Sequence, residues 1–261
     1  MDLKDRLCFV VRRYLRIPDR TFDIDSVPVR IKVLGNRIAV CKIFPEKSGS
    51  LRRYTDEVAI RLCPDRSGNE GWLALSIRIG AIAAAITEYK RSEMLCSKSI
   101  VDISVVSGDL FGPLSAYLAR EMGFSVGDIL CCCNENSGFW ELLHHGRFRT
   151  DQVVIRSDVP EADIAIPDGL ECLIALCCGG EEADRYLEAV RFGKPYVPGE
   201  EGIGRLRSAF RATVVTRSGL MRGAYVSRGV SVKAGSALAL TGLLDHRAGN
   251  GSVRPALVIA E

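Results

Sequence analysis

From residue 72 onward, apolar residues alternate between long runs at helical spacing and short uninterrupted stretches. Leu73 to Arg91 is rich in small and apolar residues, which predicts a long helix buried on more than one face. Val101 to Val106 predicts a buried strand, and Pro113 to Met122 a helix that Gly123 can close. Ile129 to Cys133 predicts the next strand, Asn134 to Gly138 a turn, and Phe139 to His145 a helix ended by Gly146. A short apolar stretch follows at Asp163 to Ile166. Helices are then expected over Leu170–Cys178, Ala183–Phe192, Gly204–Phe210 and Ser236–Asp245, and a last buried strand within Arg254–Ala260. Strands alternating with helices through right-handed crossovers imply an α/β fold, with three α/β/α layers around a mostly parallel sheet.

The first seventy residues follow a different pattern. Leu7, Val10, Val11, Tyr14 and Leu15 recur at helical spacing, so residues 4–15 predict a short amphipathic helix. Val29–Leu34 and Arg37–Phe44 flank Gly35-Asn36, a two-residue hairpin signal. The turn formers crowded between Cys63 and Gly71 mark the expected domain boundary, dividing the chain into residues 1–70 and 71–261.

Composition narrows the function classes. The chain has 261 residues, 47% hydrophobic and 26% charged, with a net charge of +3, and its basic residues are interspersed with acids. That leaves no electrostatic footprint for nucleic acid. The longest uncharged apolar run, Ile79–Ile86, is far below the ~20 residues needed to span a bilayer, so no membrane association is expected. The charged start Met1–Arg6 resembles neither a secretory signal nor a transit peptide, and a cytoplasmic protein is expected.

Ten cysteines do not define a metal centre. Cys131, Cys132 and Cys133 lie on a strand, where successive side chains face opposite ways, and neither this run nor Cys177-Cys178 has zinc-site spacing. Small buried hydrophobes in a reducing compartment are expected instead. His144 and His145 near Glu141 suit the end of a short helix through its dipole. Gly199–Gly204 is expected to lead into a helix, since it follows no strand.

Chemistry concentrates in Ser107-Gly108-Asp109-Leu110-Phe111-Gly112, a glycine-bracketed loop between a buried strand and a helix start. The first N–H groups of a helix lack intrahelical acceptors and carry the positive end of its dipole, so such a loop can cradle an anion. Asp109 puts a carboxylate into that cradle and opposes it. A small anion such as phosphate is the ligand class this pattern suggests, and a partner protein or second copy is a further possibility.

The order of motifs from Ser104 to Asn136 resembles the threonine synthases. In that family a strand ends in Ser-Gly-Asn-Phe-Gly, a helix ends at Met-Gly, and a following strand leads into Asn-Glu-Asn; here they stand as Ser107–Gly112, Met122-Gly123 and Asn134-Glu135-Asn136. Further resemblance runs through Phe139–Arg149, Ala162–Leu176 with Gly179-Gly180, and Ser236–Ala260, with a weaker echo at Phe44–Gly49. It implies a tryptophan-synthase-β-like fold that binds pyridoxal phosphate, with a reduced N-terminal part. By it, Ser107, Gly108, Asp109, Leu110, Phe111 and Gly112 would hold the cofactor's phosphate, and Asn134 and Asn136 would face the cleft.

Departures from the family set the functional expectation. Its Ser-Gly-Asp-Thr-Gly substrate loop has no counterpart, its cradle asparagine is replaced at Asp109, and its Ser/Thr-rich ring-contacting segment lies beyond Glu261. The family's Phe-Lys-Asp lysine finds its only candidate at Lys4, in Leu3-Lys4-Asp5. Asp2 and Asp5 give that amine neither the desolvation nor the cationic neighbour that would keep it neutral. A catalytically inactive homologue with a retained cleft is therefore expected, its pyridoxal phosphate weakly bound or lost. The alternative is a pyridoxal-phosphate-dependent threonine synthase, or a related carbon–oxygen lyase, acting on a phosphorylated amino acid through Lys4 or a partner's lysine.

Overall fold

The computed structural model describes residues 29–35, 37–43, 70–92, 95–96, 98–219 and 233–260. In chain order they form β1 (Val29–Gly35), β2 (Ile38–Ile43), α1 (Glu70–Ser92), β3 (Val101–Val106), α2 (Phe111–Glu121), β4 (Val126–Cys133) and α3 (Gly138–His145). A single 3-10 turn, Pro160–Ala162, precedes α4 (Leu170–Cys178), α5 (Gly180–Arg191), α6 (Glu200–Ala209), β5 (Arg211–Val214), α7 (Ala234–Asn250) and β6 (Ala256–Ala260). Lys4, the amphipathic pattern at 4–15, the echo at Phe44–Gly49 and nearly all of the Cys63–Gly71 segment lie outside the described residues.

The strands make one sheet in the order β1-β2-β6-β3-β4-β5. Five strands are parallel, and β1 pairs antiparallel with β2 at the edge. The expected hairpin is present, and its second strand pairs with β6, so residues from the first seventy extend the same sheet.

Alternation along the strands builds two cores. Ala39, Cys41, Ile103, Val105, Cys131, Cys133, Leu257 and Ile259 face α1 to α6. Ile38, Val40, Leu130, Cys132, Ala256 and Val258 face α7 with Leu238, Leu240 and Leu243. Because both faces are covered, these strands carry the continuous apolar runs that a parallel sheet needs. Helix α7 lies close on the sheet: a Cβ at Gly242 would stand 2.3 Å from Cys132 Sγ, and Ser104 Oγ donates to the Ala239 carbonyl at 2.8 Å.

Helix α2 starts at Phe111, two residues before Pro113, because proline is tolerated in a first helical turn. Gly146 closes α3 with φ 66°, and Gly199 caps α6, which starts at Glu200, four residues before the helix expected from Gly204, because the first helical turn accommodates the glycine-rich run. Strand β5 was not expected. It is four residues long, with Arg211 exposed and the next three half-buried, so it lacks the apolar run that marks a central strand.

Candidate functional site

Two cavities open along the carboxyl edge of the sheet, where ligands bind in open α/β folds. The first lies between the ends of β3 and β6 and the N-termini of α2 and α7. It measures about 60 Å³ and is lined by Val106, Asp109, Gly112, Glu161, Ser236 and Ile259, among others. The second, about 290 Å³, lies beyond β4 and β5 against the 155–159 segment.

The Ser107–Gly112 loop is closed by its own residues. Ser107 turns into the sheet, its hydroxyl donating to the Cys132 carbonyl at 3.1 Å and to Cys133 Sγ at 3.0 Å. Leu110 is fully buried and its N–H donates to the Asp168 carbonyl at 2.8 Å. The Phe111 N–H, which a cradle would direct at a phosphate, donates to Asp109 Oδ1 at 2.8 Å. Asp109 Oδ2 lies 2.9 Å from Nη1 of Arg78, a buried guanidinium carried by α1 whose carbon stands 5.9 Å from the Phe111 ring centroid. The carboxylate thus occupies an anion's place at the α2 N-terminus, with a counterion built into the helix behind it.

Helix α7 is served in the same way. Glu161 Oε1 accepts the Gly235 N–H at 2.9 Å, and a Cβ at Gly235 would stand 2.3 Å from that oxygen. Both helix N-termini at the small cavity therefore carry a carboxylate of the chain itself. The Ser236 hydroxyl, buried at the same place, has no hydrogen-bond partner among the described residues.

Gly108 binds the loop to the 3-10 turn. A Cβ there would lie 1.9 Å from the Glu161 carbonyl oxygen, and the obstacle is backbone. We expect Gly108→Ala to destabilise the chain by roughly 3 kcal/mol by forcing the two segments apart. A melting temperature equal to that of the parent would show that the segments separate freely.

Asn134 and Asn136 bond the segment opposite them. Asn134 Nδ2 donates to Ser157 Oγ (2.8 Å) and Asp163 Oδ1 (2.7 Å), and Asn136 Nδ2 donates to the Ile155 carbonyl (2.8 Å) and Asp163 Oδ1 (3.1 Å). Asp163 also accepts the Ser157 N–H at 2.8 Å and the Ser157 hydroxyl at 2.7 Å. Burial raises the Asp163 carboxyl, but these donors and the positive field of Arg156 outweigh it and hold the group below its ordinary value. The turn thus clamps the segment that walls the larger cavity. Of the eight residues expected around a cofactor, only Asp109 and Gly112 line the small cavity, and Asn134 lines the other.

Arg78, Glu161, Ser236 and Asp163 escaped the sequence reading. Arg78 was detectable in principle, since it is a lone charge in an apolar stretch and a charge that enters a core needs a partner, whereas Asp163 sits among Asp158, Glu161 and Asp168 and does not stand out. Cys41, Cys131, Cys132, Cys133 and Cys177 are buried as small hydrophobes, whereas Cys96 and Cys172 are exposed. Burial pushes the Cys132 thiol up to about 12 and the Cys133 thiol to about 11, and no metal-binding cluster occurs among the described residues. His144 stacks on Trp140, and Glu141 pairs with Arg149 at 3.1 Å.

Sheet order, the helices on both faces and the loop at the end of β3 give an α/β fold of the tryptophan-synthase-β type, shared with solved threonine synthases. Within it the chain resembles threonine synthases. The yeast threonine synthase superposes on 100% of this chain with a TM-score of 0.75 at 12% identity, the chain covering 77% of it. The pyridoxal-phosphate-bound threonine synthase of Brucella melitensis gives a TM-score of 0.61 at 15% identity over 80% of the chain, and that of Escherichia coli 0.53 at 15% over 80%. The chain spans about half the length of the latter two, 46% and 43%. No family model and no curated protein matches the sequence.

Among the described residues the small cavity is narrow and acidic. Ligand pockets run to roughly 300–1,000 Å³, whereas this one is about 60 Å³, bordered by two carboxylates, with the Phe111 N–H already bonded. Among the described residues no helix is long and apolar enough to cross a membrane.

Proposed function

We propose that this chain is a threonine-synthase-like protein without pyridoxal-phosphate catalysis, which acts by binding. One observation carries the reading: Asp109 fills the cradle, bonded to the Phe111 N–H and paired with buried Arg78. A phosphate dianion arriving there meets a fixed like charge, with the Leu110 and Phe111 N–H groups already engaged. An opposing unit charge at about 4 Å is worth about 1 kcal/mol in water and about 4 near a protein surface. The small cavity and the second carboxylate on α7 support the same conclusion. Eight described cysteines are free, which suits the reducing cytoplasm in which we place the protein. The test is release of inorganic phosphate from O-phosphohomoserine with added pyridoxal phosphate. We expect none above the protein-free rate, because losing a single oriented donor already costs about 10²–10³ in rate. Turnover that vanishes in Lys4→Ala would make the chain an enzyme.

A further inference from the structure

The cavity of about 290 Å³ beyond β4 and β5 belongs to no part of the cofactor cradle. Its floor is apolar and fully buried, made of Val159, Val215 and Leu238. Its rim is charged. Arg217 and Asp158 pair with each other at 2.8 Å, whereas Arg156 and Glu135, both exposed, make no ion pair within hydrogen-bonding reach among the described residues, Arg156 lying in the field of the Asp163 carboxylate without touching it. One wall is fixed in place: Asn134, Asn136 and Asp163 hold residues 155–159 through the hydrogen bonds given above, and the Val159 N–H is tied to Ser157 Oγ at 3.0 Å. Such a wall loses little entropy when a ligand arrives, the condition under which a small pocket binds measurably.

The geometry points to a binding site for a small zwitterion with an apolar body, its anionic group on Arg156, its cationic group on Glu135 and its body on the valine and leucine floor. Two charges of opposite sign that make no ion pair among the described residues, set around an apolar floor, complement a ligand with both charges better than one with either alone. A lone anion would leave Glu135 opposing it, and a lone cation would meet Arg156. The site also gives the retained Asn-Glu-Asn turn a use: its two asparagines build the wall while Glu135 stands on the rim. This names a ligand class for the proposed binding role and rests on that role, but not on the fate of the cofactor.

The experiment is calorimetric titration of the full chain with L-leucine, N-acetyl-L-leucine, which lacks the cation, and L-leucinamide, which lacks the anion. Leucine is expected to bind about five-fold more tightly than either analogue, the scale of a partly exposed charge pair. Glu135→Gln should abolish the preference over N-acetyl-leucine and leave that over leucinamide, and Arg156→Gln should do the reverse. Absence of leucine binding, or equal affinities for all three in the parent chain, would overturn the assignment without any variant having to fold. Pyridoxal phosphate titrated into the same preparation reports on the cradle alone, so failure at one site is not confused with failure at the other.

Discussion

Asp109→Ala should destabilise the chain by about 3 kcal/mol and, in the same stroke, create a site for inorganic phosphate. The loss arises because buried Arg78 and the Phe111 N–H both give up their anion. Removing one partner of a buried pair costs roughly 3–5 kcal/mol, and the 21% exposure of the Asp109 side chain puts the effect at the lower end. At about 2–4 °C per kcal/mol, the melting temperature should fall by roughly 6–12 °C. Phosphate at roughly ten times its dissociation constant should restore about 1.4 kcal/mol to the variant and nothing to the parent. Asp109→Asn keeps an acceptor for the Phe111 N–H but frees the charge of Arg78, so it should respond between the two. Thermal melts with and without phosphate decide the matter. Equal shifts in all three proteins would mean that Asp109 does not hold the anion's place.

The second large effect is expected at Asp163, whose carboxylate gathers four hydrogen bonds from Ser157, Asn134 and Asn136. Asp163→Ala leaves those donors without their acceptor, at a cost of about 3 kcal/mol by the usual worth of bonds to a charged group. It also releases the wall of the larger cavity, so leucine binding should disappear with it. The pH dependence has a definite sign. The folded carboxyl titrates below its ordinary value, so its stabilisation is complete above the unfolded value and is lost as pH falls through the folded one. Asp163→Asn, with one amide end turned to the donors, should be less stable than the parent at neutral pH and approach it in acid. A stability difference that stays constant down through the acid range would remove Asp163 from this role.

The strand and helix order from Val101 to Ala260 was legible because the central strands are buried on both faces and α2, α3, α4 and α7 end at or just before a glycine. Strand β5 was not, since Arg211–Val214 lies at the sheet edge, exposed or half-buried. The 3-10 turn at Pro160–Ala162 was missed too: three residues are too few for periodicity. At the site, the loop and the conflict at Asp109 could be seen in the sequence, but the resolution of that conflict could not. Arg78 comes from a helix thirty-one residues earlier (109 − 78 = 31), and only the packing of α1 against α2 brings the pair together. The two asparagines were assigned to the cleft by resemblance. Asn134 lines the larger cavity, and the bonds of the pair run to Asp163 and Ser157, groups that meet them only once the 155–163 segment folds back.

The central claim is that the chain's own carboxylate fills the cofactor cradle, and the most direct measurement is mass spectrometry of the intact protein after incubation with pyridoxal phosphate and reduction with borohydride. The account expects no stoichiometric pyridoxyl-lysine adduct in the parent chain. Full labelling at a single lysine, Lys4 above all, that free phosphate competes away would contradict it.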